Sequence, residues 1–315
     1  MLIKRAADLR YSHVTPKPLY FNRRQILAGL PAALVAGREL LSPSARALAA
    51  TTKLNTVKSP LSTTGEKITP EEDVTHYNNY YEFGTGKEEP AELAKNFKTG
   101  PDWVVSVEGD VAKPRKFTVG ELMKLAPLEE RIYRLRCVEA WSVVVPWIGY
   151  SFSTLLKEVE PTPKAKYVAF QTLYDPKQML SPLQAGIPLP YVEGLRLDEA
   201  NHPLTLLCFG MYGETLPPQD GAPIRMVVPW KYGYKGAKSL VKIRLVSGQP
   251  KCTWNDYAPN EYGFYSNVNP NRDHPRWSQK EERRLGEFFK RKTLMFNGYP
   301  EVAGLYKGMD LIRYY

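Results

Sequence analysis

Arg131-Ile132-Tyr133-Arg134-Leu135-Arg136-Cys137-Val138-Glu139-Ala140-Trp141 is the stretch from which the fold and the chemistry are read. Its period is two, so Tyr133, Leu135, Cys137 and Glu139 share one face of an extended chain while Arg134 and Arg136 take the other. This predicts a half-buried strand over 131–138 with a thiol beside a carboxylate. Cationic neighbours lower a thiol pKa, and the thiolate is the form that attacks electrophiles and binds soft metals. The competing reading is a cysteine packed as a small hydrophobe, the commoner role of a free thiol.

Working outward, strand-like runs recur at 103–107, 166–173, 204–212, 224–230 and 240–246, most of them β-branched or aromatic and closed by Gly, Pro or Asp. Helical signals are fewer. Residues 118–125 open with a Thr118-x-x-Glu121 capping box, 151–159 form a second candidate, and 277–290 read as a charged amphipathic helix. There is no strand–helix alternation, no repeat period and no Gly-x-Gly-x-x-Gly at a strand end. The expectation is an α+β fold of mixed sheets with peripheral helices and no dinucleotide motif.

Residues 1–49 read as an export signal. Asn22-Arg23-Arg24-Gln25-Ile26-Leu27 leads into an apolar run ending at Val35, and Ala47-Leu48-Ala49 supplies a small-residue cleavage end. The arginine pair points to the twin-arginine translocase, which moves folded proteins. The run is too short to span a bilayer and contains Pro31; no later stretch nears the roughly twenty apolar residues a span needs. A soluble periplasmic protein is expected after cleavage. Folded export implies a cofactor inserted before transport, hence an exported redox enzyme. The leader holds eight Lys/Arg against two Asp/Glu, most of the chain's +10 charge. What remains shows no basic block interleaved with aromatics, so no nucleic-acid partner is expected. Residues 50–76 read as an extended arm and 77–315 as one catalytic domain.

The three cysteines are an odd count in an oxidising compartment, and none is spaced for a zinc or iron–sulfur site. Cys208 lies in an apolar run and Cys252 in a loop; packing accounts for both, which leaves Cys137. Between 220 and 239, Gly233 and Gly236 permit positive φ, and with Arg225, Lys235 and Lys238 the segment is either an anion-binding nest or a hairpin. Tyr77-Asn78-Asn79-Tyr80-Tyr81-Glu82-Phe83-Gly84 gathers amides and aromatics able to bond and stack on a heteroaromatic ring, or to cap a buried loop.

Taken together, the 77–84 and 130–149 blocks, Tyr191-Val192-Glu193-Gly194-Leu195-Arg196-Leu197-Asp198-Glu199-Ala200, the Pro229-Trp230-Lys231-Tyr232-Gly233-Tyr234-Lys235-Gly236-Ala237-Lys238 block and 261–270 resemble the catalytic subunits of periplasmic protein-methionine-sulfoxide reductases. These are molybdopterin enzymes of the sulfite-oxidase fold, and the likeness runs from about residue 68 nearly to the end. It implies one molybdenum-molybdopterin per chain, in the form without an added nucleotide, with Cys137 as the protein ligand to the metal. Asn78, Tyr81, Glu82, Thr172, Arg225, Gly236, Ala237 and Lys238 match cofactor-contacting positions. Asp220 departs from the family's Asn, and an ionised acid accepts but does not donate; His76 replaces a small residue. The implied activity is reduction of free and protein-bound methionine sulfoxide, which repairs oxidised periplasmic proteins. Electrons would come from a membrane-embedded haem-b subunit fed by quinol, because the chain has neither haem motif nor flavin site. Glu139 is the candidate proton route, its alternative being a pair with a nearby arginine. Two other readings stay open: a sulfite-oxidising molybdoenzyme of the same fold, and a non-catalytic exported binding protein.

Overall fold

The computed structural model describes residues 51–62 and 65–315, so the expected export signal lies outside the described residues. Two sheets carry the molecule. The larger is centred on the hairpin of β4 (Glu129–Arg136) and β5 (Trp141–Ser151), which pair antiparallel from Glu129↔Gly149 to Arg136↔Ser142. β1 (Val57–Lys58) lies parallel to the outer edge of β4. The opposite edge of β5 is shared. Its start takes β12 (Glu281–Arg284), in turn paired with β13 (Arg291–Lys292), and its end takes β8 (Leu206–Met211), which pairs with β9 (Glu214–Thr215) and β10 (Arg225–Val227). The second sheet runs β3 (Arg115–Thr118), β2 (Val104–Gly109), β11 (Leu240–Val246), β6 (Tyr167–Thr172) and β7 (Val192–Arg196).

The expected α+β class is what is found, and alternation explains why. β6 buries Val168, Phe170 and Thr172 while Tyr167, Ala169 and Gln171 stay partly exposed, the period-two signature of a strand with one core face. Elements covered on both sides, such as β8, are buried at every position. One core joins both sheets and holds Trp147, Phe170, Ile243 and Trp230 at 1% exposure or less. Helices are short and peripheral. The capping box at Thr118 forms as expected: its hydroxyl accepts from the Glu121 N–H while the Glu121 carboxylate accepts from the Thr118 N–H.

Two expectations fail. Residues 277–290 form no helix; β12 occupies their centre, and Glu282 and Arg284 point inward while Glu281 and Arg283 point out. The inward pair enters a buried polar network, in which Arg136 Nε donates to Glu282 at 2.9 Å and Arg284 Nε donates to Ser142 at 2.9 Å. Charge on the core face disguised a strand as a solvated helix. Nor is the segment before Tyr77 a free extended arm. Besides β1, it holds a short helix, Glu71–Thr75, and the Thr69 hydroxyl and N–H bond to the backbone of Val144.

Candidate functional site

The β4–β5 hairpin turns at 137–140, where Ala140 adopts φ 66° and the Ala140 N–H donates to the Cys137 carbonyl. Cys137 and Glu139 are therefore brought together by a turn, with Sγ 3.8 Å from Oε2, and not by strand alternation. The turn forms one wall of a cleft with about 1000 Å³ of open space. Asn79 bridges the pair, its Nδ2 lying 3.3 Å from Sγ and 3.0 Å from Glu139 Oε2.

Arg136 favours the thiolate, but burial and Glu139 outweigh it. Arg136 is committed to Glu282 and Gln279, and burial, helped by the Glu139 charge, pushes the Cys137 thiol up to about 12. Only a stronger cation inside the cleft would hold it as thiolate, as a coordinated metal does. Glu139 behaves oppositely: burial opposes its ionisation, but Lys87 at 2.8 Å and Asn79 hold its carboxyl below the usual range. Its ion-pair partner is a lysine, not an arginine, and Trp141 Nε1 also donates to it.

The floor of the cleft comes from three other segments. Asn78 donates to Asp220 at 2.9 Å, leaving Asn78 Oδ1 and Asp220 Oδ2 buried without a partner among the described residues. Such orphaned acceptors are costly unless a ligand supplies donors. Burial pushes the Asp220 carboxyl up to about 7, and in its neutral form it can donate as well as accept. Arg225 is buried, stacks at 4.9 Å over Trp147 and, among the described residues, donates to the Asp220 and Met226 carbonyls. Lys238 donates to the Asn79 carbonyl at 2.6 Å. Among the described residues neither cation has a carboxylate at ion-pair distance, and burial, then Arg225, pull Lys238 down to about 8.

The segment around 233–238 is neither of the forms expected. Gly233–Lys235 is a 3-10 turn, and Gly236 has φ −88°, so positive φ is not why glycine stands there. A Cβ on Gly236 would meet the Met226 carbonyl at 2.7 Å; the requirement is close approach. The strands on either side, β10 and β11, belong to different sheets, which rules out a hairpin.

Of the residues expected at the site, Cys137, Glu139, Asn78, Tyr81, Glu82, Asp220, Arg225, Gly236 and Lys238 line this one cleft. Two stand behind it. The Thr172 hydroxyl meets Glu82 at 3.4 Å, and Ala237 is buried with its carbonyl accepting from Met226 N–H. His76 is partly exposed and turned to Glu72. Cys208 and Cys252 are buried away from the cleft, the latter at the start of the helix Thr253–Tyr257. Sequence reasoning missed Asn79 and Lys87, which organise Glu139, and the aromatic rim of Trp141, Trp254 and Tyr262. The Asn78-Asn79 pair was the available signal for the first.

The residues fit a molybdenum-pterin. The orphaned acceptors match ring and amino N–H groups, the two cations without a carboxylate at ion-pair distance match a phosphate, and a thiol is the side-chain type that suits a soft metal.

Comparison with known proteins agrees. The family described as "oxidoreductase molybdopterin binding domain" matches residues 93–254. The protein-methionine-sulfoxide reductase catalytic subunit of Burkholderia mallei is 54% identical, and that of Ralstonia nicotianae 53%, each over the whole of both chains. The solved sulfane dehydrogenase SoxCD of Paracoccus pantotrophus aligns with 80% of this chain and 60% of its own at 17% identity and a TM-score of 0.46, too distant to weigh. The chain belongs to the family of protein-methionine-sulfoxide reductase catalytic subunits, oxidoreductases built on a molybdopterin-binding domain.

Proposed function

We propose that this protein reduces methionine sulfoxide, free and within oxidised proteins, to methionine. The sulfoxide oxygen leaves as water, and two electrons and two protons balance the reaction. One observation carries the reading: a thiol lines the same cleft as buried acceptors without donors and cations with no carboxylate at ion-pair distance among the described residues. When bound, a molybdenum-molybdopterin supplies the oxygen-atom acceptance and two-electron redox chemistry that no side chain here has. Cys137 would hold the metal. Asn78, Asp220, Tyr81 and Glu82 would hold the pterin, with Thr172 and Ala237 buttressing them, and Arg225, Lys238 and the close approach at Gly236 would hold its phosphate.

Glu139 and Lys87 are the proton route in this reading. The carboxylate, kept ionised, orients the ammonium 2.8 Å away at the rim, so the lysine delivers the proton and solvent restores it. Asn79 fixes both, because Lys87 Nζ also donates to its Oδ1.

The cofactor form without a nucleotide, one per chain, remains the reading from the sequence, as do export by the twin-arginine route and a periplasmic location. The electron donor is a membrane-embedded haem-b subunit fed by quinol. Among the described residues no helix is long and apolar enough to cross a membrane, so contact with that subunit would use the surface. Phe288 and Phe289, 83% and 78% exposed at the β12–β13 tip beside Lys290, support such docking.

The test is turnover of free methionine sulfoxide with a reduced dye as donor. Wild type and Cys208→Ser should reduce it, and Cys137→Ser should fall below detection, because a neutral hydroxyl replaces a soft thiolate. Undiminished turnover by Cys137→Ser would remove the ligand assignment.

A further inference from the structure

The cleft does not end at its rim. Tyr81, Glu139, Trp254 and Tyr262 line it on one side and on the other line a second, open groove of about 970 Å³ that continues outward past Tyr257, Arg276 and Trp277. The groove is held before anything enters it. Trp277 Nε1 donates to the Val138 carbonyl at 2.8 Å, its ring stacks on His274 at 3.8 Å, and Arg276 lies 5.0 Å above it while pairing with Glu261 at 2.7 Å. Trp254 packs against both Tyr262 and Tyr257, and Asn255 ties its helix to the Tyr262 carbonyl at 2.9 Å. Its two carboxylates are already neutralised, Glu139 by Lys87 and Glu261 by Arg276. What it offers is fixed aromatic surface without net charge, open along its length.

We infer that this groove is a subsite for polypeptide: it receives the chain flanking a methionine sulfoxide whose side chain enters the cleft. The inference rests on the reading that sulfoxides are the substrates. A free amino acid occupies only the inner cleft. A peptide must lead its main chain out over the rim, and the groove gives that path rigid rings to stack on at low entropic cost. Neutral, extended segments suit it, since no unpaired charge lines it. Tyr257 is its outermost ring, 57% exposed and absent from the inner cleft. It therefore separates peptide from free substrate.

Two measurements on the cofactor-loaded protein test this. In the first, an unstructured peptide with one central methionine is titrated against intrinsic tryptophan fluorescence, which Trp254 and Trp277 report without turnover. Tyr257→Ala should weaken binding about tenfold, the worth of one good aromatic contact, and Tyr257→Phe should retain it. In the second, the sulfoxide form of that peptide and free methionine sulfoxide are compared as substrates. Tyr257→Ala should raise KM for the peptide by a similar factor, leaving its kcat and the kinetics of the free substrate unchanged. Unaltered peptide binding in Tyr257→Ala, or equal losses for both substrates, overturns the subsite. Peptide binding without reduction of either sulfoxide would keep the subsite and sink the activity instead.

Discussion

Lys231, Lys235 and Lys238 leave the same short segment and go to opposite fates. Lys231 bonds Glu199 at 2.6 Å, Asn267 at 3.0 Å and the Tyr265 carbonyl, while Tyr306 and the Arg196 N–H also bond Glu199. Lys235 pairs with Glu193 at 2.6 Å, and Tyr191 donates to the same carboxylate. Both charges are matched within the fold. Among the described residues Lys238 bonds a carbonyl and has no carboxylate at ion-pair distance, nor has the neighbouring Arg225, and both lie beside acceptors on Asn78 and Asp220 that lack a partner there. A buried charge without a partner is costly unless it is neutralised or something outside the chain completes it. The ion-paired lysines build the scaffold; the one without a carboxylate partner lies in the cleft.

The largest effect belongs to the scaffold. Lys231→Met leaves Glu199 buried without its counter-ion and should cost about 3–5 kcal/mol of stability, seen as a drop in the thermal midpoint of cofactor-free protein. A midpoint within a degree of wild type would break the comparison.

Lys238→Ala should do the reverse, sparing the cofactor-free fold and weakening cofactor retention. One charge-assisted hydrogen bond is worth roughly 1.5–3 kcal/mol, tenfold or more in affinity. Molybdenum and pterin retained through gel filtration report it. Loss of stability with full retention would move Lys238 into the scaffold.

A smaller effect is a difference in sign. Asp220 has a folded pKa of about 7, above its ordinary 3.8, because of burial. The folded state therefore binds its proton more tightly, and the stability this gives is present at acid pH and lost as pH rises from about 4 to about 7. Glu199 is the opposite: burial raises it, but Lys231 holds it below its ordinary value, so its contribution is present above about 4.5 and lost on acidification. Asp220→Asn should flatten the fall between pH 4 and 7 in cofactor-free protein and leave the acid limb unchanged. Superimposable pH profiles would show that Asp220 is ordinarily solvated.

Local rules were readable where side chains act locally. β11 spans 240–246 as its β-branched run indicates, and the Thr118 box caps its helix. The Cys137 block named the right strand, although the contact of its thiol with Glu139 comes from a turn set by Ala140. What escaped depends on distant partners. No local pattern tells Lys231 from Lys238, because Glu199 and Glu193 arrive from another part of the chain. For the same reason Glu282 and Arg284 looked solvated, and Lys87 was not seen opposite Glu139. The positions proposed for the cofactor come from family resemblance and not from spacing.

The most direct measurement is the molybdenum and pterin content of the protein purified from cells that make the cofactor. The account predicts about one molybdenum and one pterin per chain in wild type, with the metal lost from Cys137→Ser and retained in Cys208→Ser. Active wild-type protein free of molybdenum, or a Cys137→Ser variant carrying the full complement and turning over normally, would contradict it.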